Sequence, residues 1–113
     1  MVSGGYVPER GELVWLDFDP QAGREQAGRR PALVVSPKSY NARSGLALFC
    51  PVTSRVKGYP FEVGLPEGSV VSGVILADQV RSLDYRQRRA ELAGQAPAAV
   101  LGEVRAKLRA LIG

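Results

Sequence analysis

Two apolar runs separated by a polar connection make up the segment ELVWLDFDPQAGREQAGRRPALVVS, residues 12–36. The first run, 12–18, is rich in strand-forming residues and predicts a β-strand that ends at the following Asp-Pro pair. The second run, 33–36, follows Pro31 and predicts a short buried strand. This segment sets the pattern for the rest of the chain.

Further short apolar runs follow, at residues 46–52, 61–65 and 73–77, with a shorter one at 89–92. Turn-forming residues separate them, among them the pairs Tyr40-Asn41 and Ser44-Gly45. Pro51 cannot donate to a strand ladder, so it requires an edge, a bulge or a strand end. Short strands separated by such turn residues predict an antiparallel barrel or sandwich, a mainly β fold.

The last part of the chain changes to a helical period. Apolar residues share one helical stripe from position 100 onward: Val100, Leu101, Val104, Leu108, Leu111 and Ile112. Pro97 suits a first helical turn, and Gly113 follows the last apolar pair. We therefore expect a C-terminal helix that packs on the sheet through this stripe. A helix that reads nucleic acid is the alternative.

Length and composition predict one domain over residues 1–113, because 113 residues with 45% hydrophobic and 23% charged side chains are typical of a globular domain. No apolar run approaches the roughly 18 residues needed to span a bilayer, which predicts no membrane association. The N-terminus lacks the features of a signal peptide. The single cysteine, Cys50, lies in an apolar run, so we expect a buried structural thiol and a cytoplasmic protein.

Positive charge is concentrated in one third of the chain. Residues 24–57 carry seven basic side chains and one acidic side chain, a net charge of +6, whereas the remainder carries eight basic and ten acidic, a net charge of −2. Such a distribution indicates a face that binds a polyanion. The alternative is a set of solvated arginines that only maintains solubility.

The chemistry available to this chain is restricted because it contains no histidine. Its scattered carboxylates and single cysteine form no metal-ligand set, so we expect neither a metal nor another cofactor. RNA cleavage fits these limits, since the 2′-hydroxyl is a nucleophile built into the substrate. In the polar connection, Glu25 can act as the base and Arg30 can stabilise the charge on the phosphorane. Thr53, after the run at 46–52, can donate a hydrogen bond to the same phosphate.

Backbone restrictions favour this role for Arg30. Pro31 biases its predecessor toward an extended conformation, and Gly28 allows a bend with positive φ just before it. The Arg30 side chain would then emerge from the start of a strand. The alternative is a loop ion pair between Glu25 and Arg29 or Arg30.

Two other segments carry groups that suit RNA. Arg55 and Lys57 can line a groove for the RNA backbone, with Tyr59 as a stacking surface; a plain basic turn is the alternative. Gln79 can contact a base edge, whereas its neighbour Asp78 is better suited to binding loop amides.

These residues also resemble the MazF-type (PemK-like) toxin endoribonucleases of bacterial toxin–antitoxin systems. The similarity extends over nearly the whole chain and rests on the order and spacing of five segments: GELVWLDFDP at 11–20, EQAGRRPALVVSP at 25–37, PVTS at 51–54, KGYPFEV at 57–63 and LADQVRSLD at 76–84.

The resemblance implies a mainly β (α+β) fold, an SH3-like antiparallel barrel of the CcdB/PemK type with a packed C-terminal helix. It implies a homodimer that cleaves single-stranded RNA, chiefly mRNA, at a short motif without a metal, and an antitoxin whose acidic disordered tail occupies the basic groove. The family's catalytic positions correspond to Glu25, Arg30 and Thr53. Positions for RNA contacts correspond to Gln26, Lys57 and Gln79, and the neighbouring basic residues Arg24, Arg29 and Arg55 are expected to contribute to substrate binding.

Two other functions remain open at this point. A CcdB-like toxin would share the barrel but poison DNA gyrase without catalysis, and it would not need the set Glu25, Arg30 and Thr53. A passive nucleic-acid-binding barrel would bind RNA with steep salt dependence and leave it intact.

Overall fold

A computed structural model describes residues 5–18 and 28–113 of the chain. In these residues, seven strands and two helices are found, with a short 3₁₀ turn at Ala77–Gln79. The strands are Glu12–Phe18 (β1), Gly28–Val34 (β2), Leu46–Thr53 (β3), Glu62–Gly64 (β4), Val74–Leu76 (β5), Arg81–Asp84 (β6) and Glu91–Gln95 (β7). The helices are Lys38–Ser44 (α1) and Ala98–Ile112 (α2).

All strand pairs are antiparallel, and the order is β4-β5-β3-β2-β1-β7, with β6 paired to β3. Strand β3 is central because it pairs in succession with β6, β2 and β5 along its length. The predicted mainly β architecture with a C-terminal helix is confirmed. The pairing within the described ranges leaves the sheet open instead of closing it into a complete ring.

Strand β2 begins earlier than predicted. The sequence predicted a strand at 33–36, but the observed strand starts at Gly28 and ends at Val34. Its first residues pair with the end of β1, where Phe18 lies opposite Gly28 and Leu16 opposite Arg30. The expected positive φ is confirmed at Gly28, with a value of +77°. Arg30 therefore projects from a paired strand, as its position before Pro31 predicted.

The two faces of β1 and β2 contact different hydrophobic clusters. Leu13 and Leu33 belong to a cluster that α2 covers, with Val104 of the helix fully buried in it. Leu16, Phe18 and Phe49 belong to a second cluster on the other face. This alternation along the strands follows from the two-residue period of side-chain direction in β structure.

Cys50 lies in the first cluster and is fully buried, as predicted. Burial, together with the charge of Asp78, raises the pKa of its thiol to about 12. The thiol is therefore protonated and unreactive at neutral pH.

Helix α2 starts at Ala98 with Pro97 as its N-cap residue, close to the predicted start. Its stripe is buried through Val104, whereas Leu111 and Ile112 remain 43% and 80% exposed. The predicted apolar stripe thus extends one turn beyond the sheet that it covers. No helix in the described residues is long and apolar enough to cross a membrane.

Helix α1 was not predicted, because Tyr40-Asn41 and Ser44-Gly45 were interpreted as turns. The helix depends on tertiary contacts of buried Asn41, whose side-chain amide donates to the carbonyl oxygens of Pro8 at 2.8 Å and Ser36 at 3.1 Å. Gly45, with φ of +77°, then ends the helix. Strand β6 was also missed, and the strand predicted at 89–92 is shifted to Glu91–Gln95.

Candidate active site

Arg30 lies where β2 leaves its pairing with β3. Ala32 pairs with Pro51, so the register continued by two residues brings positions 30 and 53 opposite each other. The Arg30 Nη1 atom is 3.4 Å from the carbonyl oxygen of Val52 and donates to it. Partial burial lowers the pKa of Arg30 below its ordinary value, because desolvation disfavours the charged form.

Thr53 is the last residue of β3, and it is 6% exposed. Its Oγ1 atom accepts a hydrogen bond of 3.1 Å from the backbone N–H of Arg55. Since the oxygen serves as an acceptor within the chain, the hydroxyl proton points elsewhere. Its orientation can therefore be set by a substrate.

The backbone of Thr53 is enclosed by the residue that precedes β5. A Cβ atom at Gly73 would lie 2.3 Å from the Thr53 carbonyl oxygen, and the φ angle of Gly73 is +122°. Only glycine permits both the close approach and this backbone conformation. Gly73 thus fixes the end of β3.

Two grooves meet at the end of β3. The first has a volume of about 510 Å³ and is lined by Trp15, Arg29, Arg30, Pro31, Val52, Ser54, Ser69, Val70, Val71 and Ser72. The second has a volume of about 240 Å³ and is lined by Thr53, Arg55, Lys57, Tyr59, Phe61, Glu62, Leu76, Asp78 and Gln79. The fold thus gathers the predicted residues Thr53, Arg55, Lys57 and Gln79 in one groove and places Arg29 and Arg30 in the other.

In the second groove, one carboxylate orders the basic turn. Glu62 accepts hydrogen bonds from the backbone N–H groups of Lys57 at 3.0 Å and Gly58 at 2.9 Å. The Lys57 ammonium lies 5.7 Å from the centroid of the Tyr59 ring, within cation–π range, and the tyrosine is 57% exposed. The groove therefore offers a cation and an exposed aromatic face side by side.

Arg29 has several partners that sequence did not reveal. Its Nη1 donates to Asp17 Oδ1 at 3.0 Å, and its Nη2 donates to Glu91 Oε1 at 2.5 Å and to the carbonyl oxygen of Arg89 at 2.9 Å. Arg89 Nε also donates to Asp17 Oδ2 at 2.8 Å. Asp17 and Arg29 are opposite each other in the β1–β2 ladder, a register that the sequence could not supply.

Hydrogen bonds from Arg89 and then Arg29 hold the pKa of Asp17 below its ordinary value of 3.8. The ion pairs of Asp17 therefore stabilise the fold above the ordinary pKa of aspartate. This stabilisation is lost as the pH falls through the pKa of Asp17 in the folded state. We expect Asp17→Asn to weaken the dependence of the unfolding free energy on pH between about pH 5 and about pH 2. The unfolding free energy is measured by urea unfolding at a series of pH values. Glu67→Gln, in an exposed turn, should retain the wild-type profile, and an unchanged profile for Asp17→Asn would contradict the prediction.

Three predicted site residues, Arg24, Glu25 and Gln26, lie outside the described residues. Their connection leaves β1 after Phe18 and enters β2 at Gly28, and these two residues are paired. Both ends of the connection are therefore next to Arg30. Among the described residues, no group of three or more histidine, cysteine, aspartate or glutamate side chains is arranged to hold a metal ion.

Comparison with known proteins gives concordant results. The family model of the PemK-like, MazF-like toxin of type II toxin-antitoxin systems matches residues 9–112. The endoribonuclease toxin MazF of Escherichia coli is 50% identical over 108 residues, which cover 96% of each chain. The endoribonuclease toxin ChpB of Escherichia coli is 38% identical over 110 residues, covering 92% of this chain and 93% of ChpB.

Solved structures agree over the same extent. A crystal structure of MazF from Deinococcus radiodurans has a TM-score of 0.92 and 65% identity, covering 96% of this chain and 99% of that one. A MazE–MazF structure from the same organism has a TM-score of 0.87 and 65% identity, covering 96% and 98%. The chain therefore belongs to the PemK-like, MazF-like toxin family of type II toxin-antitoxin systems.

Proposed function

We propose that this toxin is a sequence-specific, metal-independent endoribonuclease that cleaves single-stranded RNA, chiefly mRNA, and thereby inhibits translation. The observation that carries the proposal is the position of Arg30, a partly buried guanidinium in a groove at the end of β3, whose Nη1 donates to the carbonyl oxygen of Val52, the residue before Thr53. The relatives named as endoribonucleases support the same activity.

The proposed reaction is an internal transesterification. Glu25 removes the proton of the 2′-hydroxyl, the 2′-oxygen attacks the neighbouring phosphorus, and the bond from phosphorus to the 5′-oxygen breaks. The products are a 2′,3′-cyclic phosphate and a 5′-hydroxyl end. Arg30 stabilises the negative charge on the phosphorane, and Thr53 donates a hydrogen bond to the same group. The 5′-oxygen gains a proton as it leaves, from water or from Arg30.

The remaining candidate residues are proposed to bind RNA. Arg55, Lys57 and Gln79 line the second groove, where Tyr59 offers a surface on which a base can stack. Arg24 and Gln26 are proposed to contact RNA from the connection between β1 and β2. Arg29 would contribute positive charge near the substrate while its ion pairs with Asp17 and Glu91 set its orientation.

We further propose that residues 1–113 form one toxin domain, which acts as a homodimer in the cytoplasm. Exposed apolar side chains beside the first groove, Trp15 at 40% and Val70 at 58%, are suited to burial between two copies. Structures of MazE–MazF complexes from Deinococcus radiodurans support an antitoxin partner. We propose that an acidic, disordered tail of this antitoxin binds the basic groove and competes with RNA.

Mapping of cleavage products tests the proposed reaction. Purified protein is incubated with a long RNA in the presence of EDTA, and the fragment ends are mapped. We expect cuts at one short motif, with 2′,3′-cyclic phosphate and 5′-hydroxyl ends, at a rate that EDTA does not change. An RNA with 2′-deoxyribose at the scissile nucleotide should remain intact, because it lacks the nucleophile.

Two outcomes would contradict the proposal. Cleavage of the deoxy-substituted RNA at the normal rate would exclude attack by the 2′-oxygen. Intact RNA together with inhibited DNA gyrase would support the CcdB-like function instead.

A further inference from the structure

Arg81 is a cation that the proposed mechanism does not use. It is the first residue of β6 and pairs with Phe49 of β3. Its guanidinium carbon lies 5.9 Å from the centroid of the Phe18 ring, within cation–π range. Phe18 is fully buried and is the last residue of β1, at the point where the connection that contains Glu25 begins.

The hydrogen bonding of Arg81 is incomplete. Its Nη1 atom is buried, and it has no hydrogen-bond partner within the described ranges, 5–18 and 28–113. Folded proteins rarely leave a buried donor without an acceptor, and the penalty is larger for a charged group. A buried guanidinium with an unpaired donor therefore gains more binding free energy from an anionic acceptor than an exposed guanidinium does.

Arg30 and the aromatic ring that Arg81 contacts share one face of the sheet. Arg30 pairs with Leu16, so Phe18 is its diagonal neighbour on the same face of the sheet. The Arg81 guanidinium therefore lies on the face of β1 and β2 from which Arg30 projects. Gln79, a proposed RNA contact, precedes Arg81 by two residues along the chain.

We propose that Arg81 binds a phosphate oxygen of the RNA backbone, beside the phosphate that Arg30 contacts. Before RNA binds, the guanidinium rests on the Phe18 ring with one donor unpaired. When RNA binds, it turns toward the phosphate and completes its hydrogen bonds, so leaving the ring costs little. This role rests on the proposed RNA-cleaving function and adds a substrate-binding residue to it.

The test compares Arg81→Met and Arg81→Lys with the control Arg86→Met, whose arginine is exposed in the 85–89 turn. RNA binding is measured with a substrate that carries 2′-deoxyribose at the scissile nucleotide, so that no cleavage occurs. We expect Arg81→Met to flatten the salt dependence of binding by about 0.7 in log–log slope, the value for one lost phosphate contact on a single strand. We also expect kcat/KM for cleavable RNA to fall by about 10- to 100-fold.

Thermal unfolding separates a binding role from a structural one. Methionine retains the length of the side chain and removes a buried charged donor, so Arg81→Met should have a Tm equal to or above that of wild type. Arg81→Lys should retain the salt slope because the charge remains, while it loses the planar fork and part of kcat/KM. Arg86→Met should match wild type in kcat/KM.

Two results would overturn the inference. The first is an Arg81→Met variant with wild-type kcat/KM and salt slope. The second is a variant whose Tm and kcat/KM fall together while the salt slope is unchanged, which indicates a structural role. Failure of the proposed function is distinguishable, because in that case the wild-type protein itself leaves cleavable RNA intact.

Discussion

Replacing Arg30 with alanine is expected to lower kcat/KM for RNA cleavage by about 10²- to 10³-fold, the usual effect of removing one donor that stabilises transition-state charge. The partial burial of Arg30 strengthens this contribution, because charge interactions are less screened in a groove than at an open surface. Most of the loss should appear in kcat. The reason is that negative charge accumulates on the phosphorane oxygens only as the reaction proceeds.

Thermal unfolding of Arg30→Ala is measured beside cleavage, because Nη1 also donates a hydrogen bond of 3.4 Å to the Val52 carbonyl oxygen. Arg30→Lys keeps the charge but not the planar pair of donors, so we expect it to recover only part of the activity. Arg43→Ala is the matched control, since it removes one exposed arginine from α1, on an element that does not line either groove. The rate of single-turnover cleavage and the Tm of thermal unfolding are measured for all three variants. A folded Arg30→Ala variant with wild-type kcat would refute a catalytic role for Arg30.

Replacing Gly73 with alanine is expected to destabilise the fold by about 3–5 kcal/mol, which is the size of effect that severe backbone and packing conflicts produce. The added Cβ would lie 2.3 Å from the carbonyl oxygen of Thr53, and this neighbour is backbone that cannot rotate away. The φ angle of +122° adds strain for any residue with a side chain. Relief of the conflict requires β3 and β5 to separate at Thr53.

The same substitution should abolish cleavage in the fraction that remains folded, because Thr53 and the second groove would be displaced. Gly102→Ala is the control, since a Cβ at this position in α2 contacts nothing within 4 Å. It should raise stability by about 0.5–1 kcal/mol through helix propensity. Urea unfolding of both variants gives the comparison. An unfolding midpoint for Gly73→Ala equal to that of wild type would contradict the predicted conflict.

Local signals were sufficient for several parts of the fold. Strand β1 was predicted with the bounds that it has, Glu12–Phe18, because its apolar pattern and the following proline define it without reference to other segments. Gly28 and Pro31 correctly predicted a bend followed by extended backbone at Arg30. The C-terminal helix was predicted from its period, although its last apolar pair extends past the surface that it covers.

Elements that depend on distant partners were not predicted. Helix α1 is stabilised through Asn41, whose side-chain amide donates hydrogen bonds to the carbonyl oxygens of Pro8 and Ser36. The composition of residues 38–45 favours turns, so the local sequence does not indicate this contact. Strand β6 is four residues long and, among residues 5–18 and 28–113, pairs with β3 alone, so its apolar pattern is too short to be detected.

The candidate site likewise has features that the sequence predicted and features that only the tertiary structure reveals. The sequence alone determined which residue types are available: a chain without histidine, with Arg30 extended before Pro31 and Thr53 at the end of an apolar strand. The tertiary structure decided which of them meet, because the register of β1, β2 and β3 is set by packing of both sheet faces. That register brings Arg30 to the end of β3, engages Arg29 with Asp17 and Glu91, and brings Arg81 to the ring of Phe18. Contacts between strands far apart in the chain depend on the whole fold, and no local pattern specifies them.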